Sequence, residues 1–286
     1  MPAFVVHICH TRSDLRAFVA QQYAQQKTIA FVPTMGNLHA GHIALVQEAH
    51  AHGQTVIASV FVNPLQFGVG EDLDKYPRTL AQDIEKLTAA GCHALFAPTV
   101  DEMYPQGAPQ IQVHSGAKSS GISITDILCG AHRPGHFDGV CTVVMKLLNL
   151  VQPQVMLLGQ KDYQQVAVLR LMVQDLDVPT RIMVSETVRE HDGLALSSRN
   201  QFLNEAEREL APLIYRTLQT TRNLLQKGSR DYTALEAQGI HALNTAGFRT
   251  DYYQIRARDL FAPTQGTSQF VVLTAARLGA TRLIDN

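Results

Sequence analysis

Through the first two thirds of the chain, short apolar runs alternate with segments whose apolar residues recur every three or four positions. The second kind of spacing places side chains on one helix face, and the first suits strands buried on both sides. Residues 13–26 read as a helix with Leu15, Phe18, Val19 and Tyr23 inward, followed by a strand over 28–32 that Pro33 ends. A helix from about Gly41 turns Leu45, Val46 and Ala49 to the core. A strand follows over 55–62, stopped by Asn63-Pro64. The alternation continues with a helix opened by the capping pattern Thr79-x-x-Gln82 and a strand over 93–97. A helix over 139–150, a strand over 155–158, a helix over 162–176 and a strand over 180–184 complete it. Strands and helices in turn predict a parallel α/β sheet with helices on both faces, whose ligands bind beyond the carboxyl ends of the strands.

The pattern changes after about Glu186. Two longer polar helices are expected, over 204–227 and 231–244, with Gly228 between them and an Asn204-x-x-Glu207 capping signal at the start. Short strands over 252–257, 270–275 and 282–284 make a smaller α+β unit. The expected division is therefore 1–187 and 188–286. With 286 residues, two domains are comfortable.

Composition narrows the class. A net charge of -1 offers no basic field for nucleic acid or anionic lipid. The start of the chain lacks a basic segment followed by an apolar run, and no apolar stretch reaches the roughly 18 residues of a membrane span. Cys9, Cys92, Cys129 and Cys141 are scattered with no C-x-x-C pair, which predicts idle thiols. A cytoplasmic protein with no nucleic-acid or membrane partner is expected.

The candidate chemistry lies in three loops. Pro33-Thr34-Met35-Gly36-Asn37-Leu38-His39-Ala40-Gly41-His42 follows a strand and opens a helix, where free N–H groups and the helix dipole favour a phosphate. His39 and His42, three apart, fit one side of the first turn and can donate to phosphate oxygens. A solvated His pair is the plain alternative; zinc fits poorly without the glutamate of H-E-x-x-H. Gly159-Gln160-Lys161-Asp162 again joins strand to helix, supplying a cation and an acceptor for ribose hydroxyls. Leu196-Ser197-Ser198-Arg199 offers two hydroxyls and a guanidinium to phosphates. Gln66, in the segment after the 55–62 strand, and Gln165 read as amides for a polar hydroxy acid. His132-Arg133-Pro134-Gly135-His136-Phe137 reads as a structured loop beside the site.

Taken together these segments resemble the pantoate–β-alanine ligases (pantothenate synthetases). The resemblance is carried by PTMGNLHAGH (33–42), SVFVNPLQFG (59–68), DLDKYPRTL (72–80), RPGHF (133–137), KLLNLVQP (146–153), GQKDYQQ (159–165), DGLALSSRN (192–200) and RLGATRLIDN (277–286). It implies a HIGH-type nucleotidylyltransferase with a Rossmann-like sheet domain, a small C-terminal lid and a homodimer. It further implies condensation of pantoate with β-alanine at the expense of ATP, through pantoyl adenylate. Met35 to His42 would line the ATP site, with His42 as proton donor and His39 and Lys161 sharing the phosphate charge. Gly159, Gln160, Lys161 and Asp162 would hold the nucleoside, the Val188 backbone the adenine, and Leu196 to Arg199 the phosphates. Gln66 and Gln165 would bind pantoate, with Gln66 also near β-alanine. Mg²⁺ would accompany ATP, with Asp83 as its carboxylate.

The chain departs from the resemblance at Gln160, where glutamate is more common, at Cys129 in place of glutamate, and at Gln82 in place of an acidic residue. Another small-molecule nucleotidylyltransferase is the alternative activity. A non-catalytic nucleotide-binding module would be expected to have lost one of the phosphate-suited groups, and all are present.

Overall fold

A computed structural model of the protein describes residues 5–68, 70–116 and 123–286. Six parallel strands form the larger sheet: β1 (His7–Cys9), β2 (Ile29–Thr34), β3 (Thr55–Val60), β4 (Ala94–Phe96), β5 (Val155–Gly159) and β6 (Arg181–Ser185). Their order is β1-β4-β3-β2-β5-β6, so the chain winds outward from β2 one way and from β5 the other. The crevice at that reversal, outside the ends of β2 and β5, is where such sheets bind ligands. Both strands run directly into phosphate-suited loops.

Alternation along β2 shows why both faces are covered. Ile29 and Phe31 enter one core, with α1 (Arg12–Ala24) beneath it, while Ala30 and Val32 enter the other, with Val46 and Ala49 of α2 (Ala40–Ala49). The second core also takes Leu87 of α3 (Leu80–Ala89). The strand does not stop at Pro33. Phe61 N donates to Thr34 O, so β2 turns its Thr34 peptide toward β3 and its Pro33 nitrogen toward β5. Pairing with β5 has already ended at Phe31, so no donor is needed there.

Two short helices, α4 (Val100–Met103) and α5 (Leu128–His132), precede the long α6 (His136–Val151), which starts three residues before its expected beginning. A Cβ on Gly139 would lie 2.2 Å from Leu65 O, so only glycine lets the Pro64–Gln66 turn press on α6. Helix α7 (Tyr163–Asp175) follows a separate short turn, Gln160–Asp162.

Beyond β6 the expected 204–227 helix is two helices, α8 (Glu205–Leu210) and α9 (Leu213–Gln226), parted at Ala211-Pro212. Proline lacks the N–H that a continuous helix requires. The Asn204 cap is present and reciprocal with Glu207, but Thr79 caps nothing; its hydroxyl bonds Asp83 instead. Helix α10 (Tyr232–Thr245) and α9 cover an antiparallel sheet of β7 (Arg249–Ala257), β8 (Phe270–Leu278) and β9 (Thr281–Asp285), each longer than expected. Tyr253, Ile255 and Val272 face those helices, while Tyr252, Leu273 and Ala275 join the core of the larger sheet. All four cysteines are free, three of them buried. Among the described residues no helix is long and apolar enough to cross a membrane.

Candidate active site

The loop after β2 is built on one buried carboxylate. Asp83 of α3 is fully buried and accepts from the backbone N–H of Asn37 at 3.0 Å and of Leu38 at 2.8 Å, and from Thr79 Oγ1 at 3.2 Å. Lys86, on the next turn of α3, donates to Leu38 O at 2.6 Å. Gly36 lies at φ +84°, and a Cβ there would meet Val60 Cγ1 at 2.9 Å, so the turn demands glycine. Asp83, expected from the sequence beside magnesium, thus spends both carboxylate oxygens on the loop and on Thr79. Asp83 shapes the cradle from behind.

His39 is the N-cap of α2. Its Nδ1 accepts from Gly41 N at 3.2 Å, and His42 Nδ1 accepts from His39 N at 3.3 Å. A nitrogen that accepts carries no proton, so each neutral ring keeps its hydrogen on Nε2. The ring centroids are 4.0 Å apart. Burial, then the charges of Lys161 and Lys86, lower His39 to about 4; burial and its neighbour His39 push His42 well down as well. At neutral pH the pair therefore presents two uncharged Nε2–H donors.

Gly159 ends β5 and delivers Gln160, Lys161 and Asp162 in one short turn. Burial lowers the Lys161 pKa, against the opposing pull of Asp162 and Asp285. Opposite, the segment after β6 folds back on itself: Leu196 N donates to Val188 O at 3.0 Å, and Arg189 bridges Ala195. Ser198 Oγ then donates to Asn37 O at 3.1 Å, docking this loop on the cradle. Arg199 is held by Asp72 through two bonds of 2.8 and 3.0 Å.

Gln66 is set by a polar network. Buried Asn63 donates from Nδ2 to Gln66 Oε1 at 3.2 Å and to Gly139 O at 3.1 Å, while Tyr104 donates to Asn63 Oδ1 at 2.8 Å. His136 Nδ1 lies 2.8 Å from Gln66 O, which can only accept, so Nδ1 carries the proton and Nε2 accepts from Arg133 Nη1 at 3.0 Å. Burial, followed by the Arg133 charge, lowers His136 to about 4. Arg133 also forks Glu71 at 2.8 and 2.5 Å.

These parts line a cavity of about 230 Å³ beside a cleft of about 630 Å³, the two sharing Lys161, Asp162, Gln165, Ser197 and Arg199. His39, His42 and Met35 border the smaller cavity on one side, and Gly159, Lys161 and Asp162 on another. Gln66, Gln165, Val188, Leu196, Ser197, Ser198 and Arg199 also line it. Gly41 also lines it, whereas Gly36, Asn37, Leu38 and Ala40 form the backbone behind. Gln160 lines neither, its amide being bonded to Asn286 Oδ1 at 3.2 Å. The larger cleft shares Lys161, Gln165 and Arg199 with it but is lined by neither His39 nor His42.

The sequence reading missed several contributors. Ser185 and Thr187 put buried hydroxyls with no partner among the described residues beside Val188, and nothing in the sequence marked them. Asn63, Asp72, Arg133 and His136 stood in segments already singled out, but their partners were not visible there. Among the described residues no three of His, Cys, Asp or Glu gather as a metal cluster.

The pattern that defines the family described as Pantoate-beta-alanine ligase matches residues 7–286. Pantothenate synthetase of Stutzerimonas stutzeri is 58% identical over 276 residues, 96% of this chain and 94% of that protein. Pantothenate synthetase of Pseudomonas aeruginosa is 54% identical over 278 residues, 96% of each. Among solved structures, pantothenate synthetase from Thermus thermophilus superposes with a TM-score of 0.87 at 44% identity, covering 98% of both chains. Pantoate-beta-alanine ligase from Francisella tularensis, complexed with beta-gamma ATP and beta-alanine, gives a TM-score of 0.79 at 33% identity over 98% of this chain and 96% of that one.

Proposed function

The chain belongs to the pantoate–β-alanine ligase family, and on that premise we propose how its residues divide the work. The enzyme condenses pantoate with β-alanine in an ATP-dependent reaction that yields pantothenate, AMP and pyrophosphate. The observation that carries the residue assignment is the crevice itself. Two phosphate-suited loops, at the ends of β2 and β5, face each other with His39, His42 and Lys161 between them and Gln66 and Gln165 adjoining.

In this reading a pantoate carboxylate oxygen attacks the α-phosphorus of ATP and the bond to pyrophosphate breaks. The Nε2–H groups of His42 and His39 and the ammonium of Lys161 stabilise the charge that develops on the phosphate oxygens. The β-alanine amine then attacks the acyl carbon of pantoyl adenylate, AMP leaves, and the amine gives up a proton. Gln66 and Gln165 hold the pantoate, with Gln66 also near β-alanine. The adenine lies along the Val188 backbone, where the unpaired hydroxyls of Ser185 and Thr187 suit a purine edge. Gly159 to Asp162 take the nucleoside, and Leu196 to Arg199 cover the phosphates.

Mg²⁺ would accompany ATP as part of the substrate, and Asp83, bonded to the Asn37 and Leu38 N–H groups, is not assigned to it. The same reading assigns 1–187 to a catalytic domain and 188–286 to a lid, in a cytoplasmic homodimer. Its test is product analysis with ATP, pantoate and β-alanine, where AMP and pantothenate should appear one for one. Pantoate alone should support exchange of labelled pyrophosphate into ATP. Exchange that strictly required β-alanine would overturn the two-step order.

A further inference from the structure

The turn that carries Lys161 is poorly anchored by its own neighbours. Gly159 brings no side chain, and Asp162, at the N-cap position of α7, makes no side-chain capping bond. What fixes the turn comes from the far end of the chain. Asn286, which follows β9, donates from Nδ2 to Gln160 O at 3.0 Å and to Lys161 O at 2.9 Å. Both of its amide hydrogens are thereby placed on two consecutive carbonyls. The orientation of the amide is forced, because a carbonyl can only accept. Asn286 Oδ1 is then left facing Gln160 Nε2 at 3.2 Å, and Gln160 supplies the donor that this oxygen needs. A glutamate at 160 would have no hydrogen to give there.

Asn286 is itself held firmly. Its N–H donates to Asp285 Oδ1 at 2.8 Å, and its carbonyl accepts from Arg189 Nη2 at 3.2 Å. Arg189 forks the buried Asp285 at 2.6 and 2.9 Å, and its guanidinium lies 3.6 Å from the centre of the Tyr215 ring. The same arginine donates to Gly193 O at 3.1 Å, in the segment that leads to Ser197, Ser198 and Arg199. A continuous series of bonds thus runs from the covering loop through Arg189 to the end of β9, and from Asn286 into the Lys161 turn.

We propose that Asn286 is a positioning residue for Lys161, with Gln160 as its matched amide partner, so that the smaller sheet sets where the cation stands in the catalytic crevice. The inference rests on the reading that Lys161 meets the phosphates of ATP. Because a displacement of about 1 Å can cost about 10²-fold in rate, a clamp on this backbone acts on the chemical step more than on binding.

The test is a double-mutant cycle read in pantoate-dependent pyrophosphate exchange, with a thermal melt for each variant. Asn286→Asp keeps shape and volume but removes the donor and turns a carboxylate on two carbonyls. It should lower kcat by about 10- to 100-fold. The KM for pantoate should stay within about twofold, as expected when a mutation acts on the transition state. In a Lys161→Ala background the same substitution should cost less than about twofold, since its effect runs through the missing cation. Gln160→Glu should give a smaller loss in the same direction. If Asn286→Asp does not fold, Asn286→Ala takes its place in the cycle with the same readings. A full-rate Asn286 variant, or an equal loss with and without Lys161, overturns the inference. A Lys161→Ala enzyme that keeps its rate overturns instead the role given to Lys161.

Discussion

The cradle after β2 and the wall that faces it both offer groups suited to phosphate, but they are held by different forces. The cradle is fixed by backbone donors on a fully buried carboxylate, with Lys86 binding the same loop through a carbonyl. The wall is held by half-buried ion pairs, Arg199 with Asp72 and Arg133 with Glu71. Against the upward push of burial, Arg199 keeps Asp72 below its ordinary carboxylate pKa, and Arg133 does the same for Glu71. The cradle is therefore ready before any ligand arrives, since unmaking it would strand buried donors. On the proposed assignment Arg199 exchanges one anionic partner, the Asp72 carboxylate, for another, the phosphate. Preformed donors can serve the transition state, and exchangeable ones can cover and release.

His42→Ala attacks the cradle's chemistry and carries the largest expected effect. The kcat for adenylation should fall about 10²–10³-fold with little change in the KM for ATP. A loss confined to KM would move His42 from transition-state stabilisation to ground-state binding. Next comes Asp83→Ala, which leaves the Asn37 and Leu38 N–H groups buried without an acceptor. It should cost about 2–4 kcal/mol in urea unfolding. A shifted Mg²⁺ requirement with unchanged stability would make Asp83 a metal ligand and remove the cradle's anchor.

On the wall, His136 makes stability pH-dependent in a defined direction. Its folded pKa of about 4 lies below the unfolded value of roughly 6.5. As pH falls through that window the unfolded chain takes up a proton that the folded one refuses, so stability is lost. His136→Gln should flatten the decline between pH 6.5 and 4 by about 3 kcal/mol, while His39, His42 and His93, also held below the ordinary imidazole value by burial, keep contributing. An unchanged slope would show that His136 is already protonated in the folded protein. The smallest effect is expected from Asp72→Asn, which frees Arg199. The KM for ATP should drop about two- to fivefold at low salt and converge with wild type as salt rises. A large fall in stability would make the wall as rigid as the cradle and erase the contrast.

Much of this was legible locally. Period and punctuation revealed five of the six parallel strands; β4, also three residues, is apolar and buried throughout, while β1 carries an exposed His7 and a half-buried Ile8 and gave no apolar run. The helix breaker at Pro212 was visible in the sequence, yet the capping signal at Asn204 suggested one helix where two occur. Thr79-x-x-Gln82 resembled a cap, but a nearby buried carboxylate claimed the hydroxyl first. Local grammar proposes a bond; the surroundings decide which acceptor wins.

The alternating sheet, the three phosphate-suited loops and the family they belong to could all be read from the order of residues. These depend on side-chain period, turn residues and contiguous motifs, all set by neighbours along the chain. Folding in three dimensions was needed to bring Asp83 under the Asn37 and Leu38 N–H groups, to set Asp72 on Arg199, and to bring Asn286 onto the Lys161 turn. Those partners lie 46, 127 and 125 residues apart. A hydrogen bond acts over about 3 Å, and no local pattern records which distant atoms folding will bring that close.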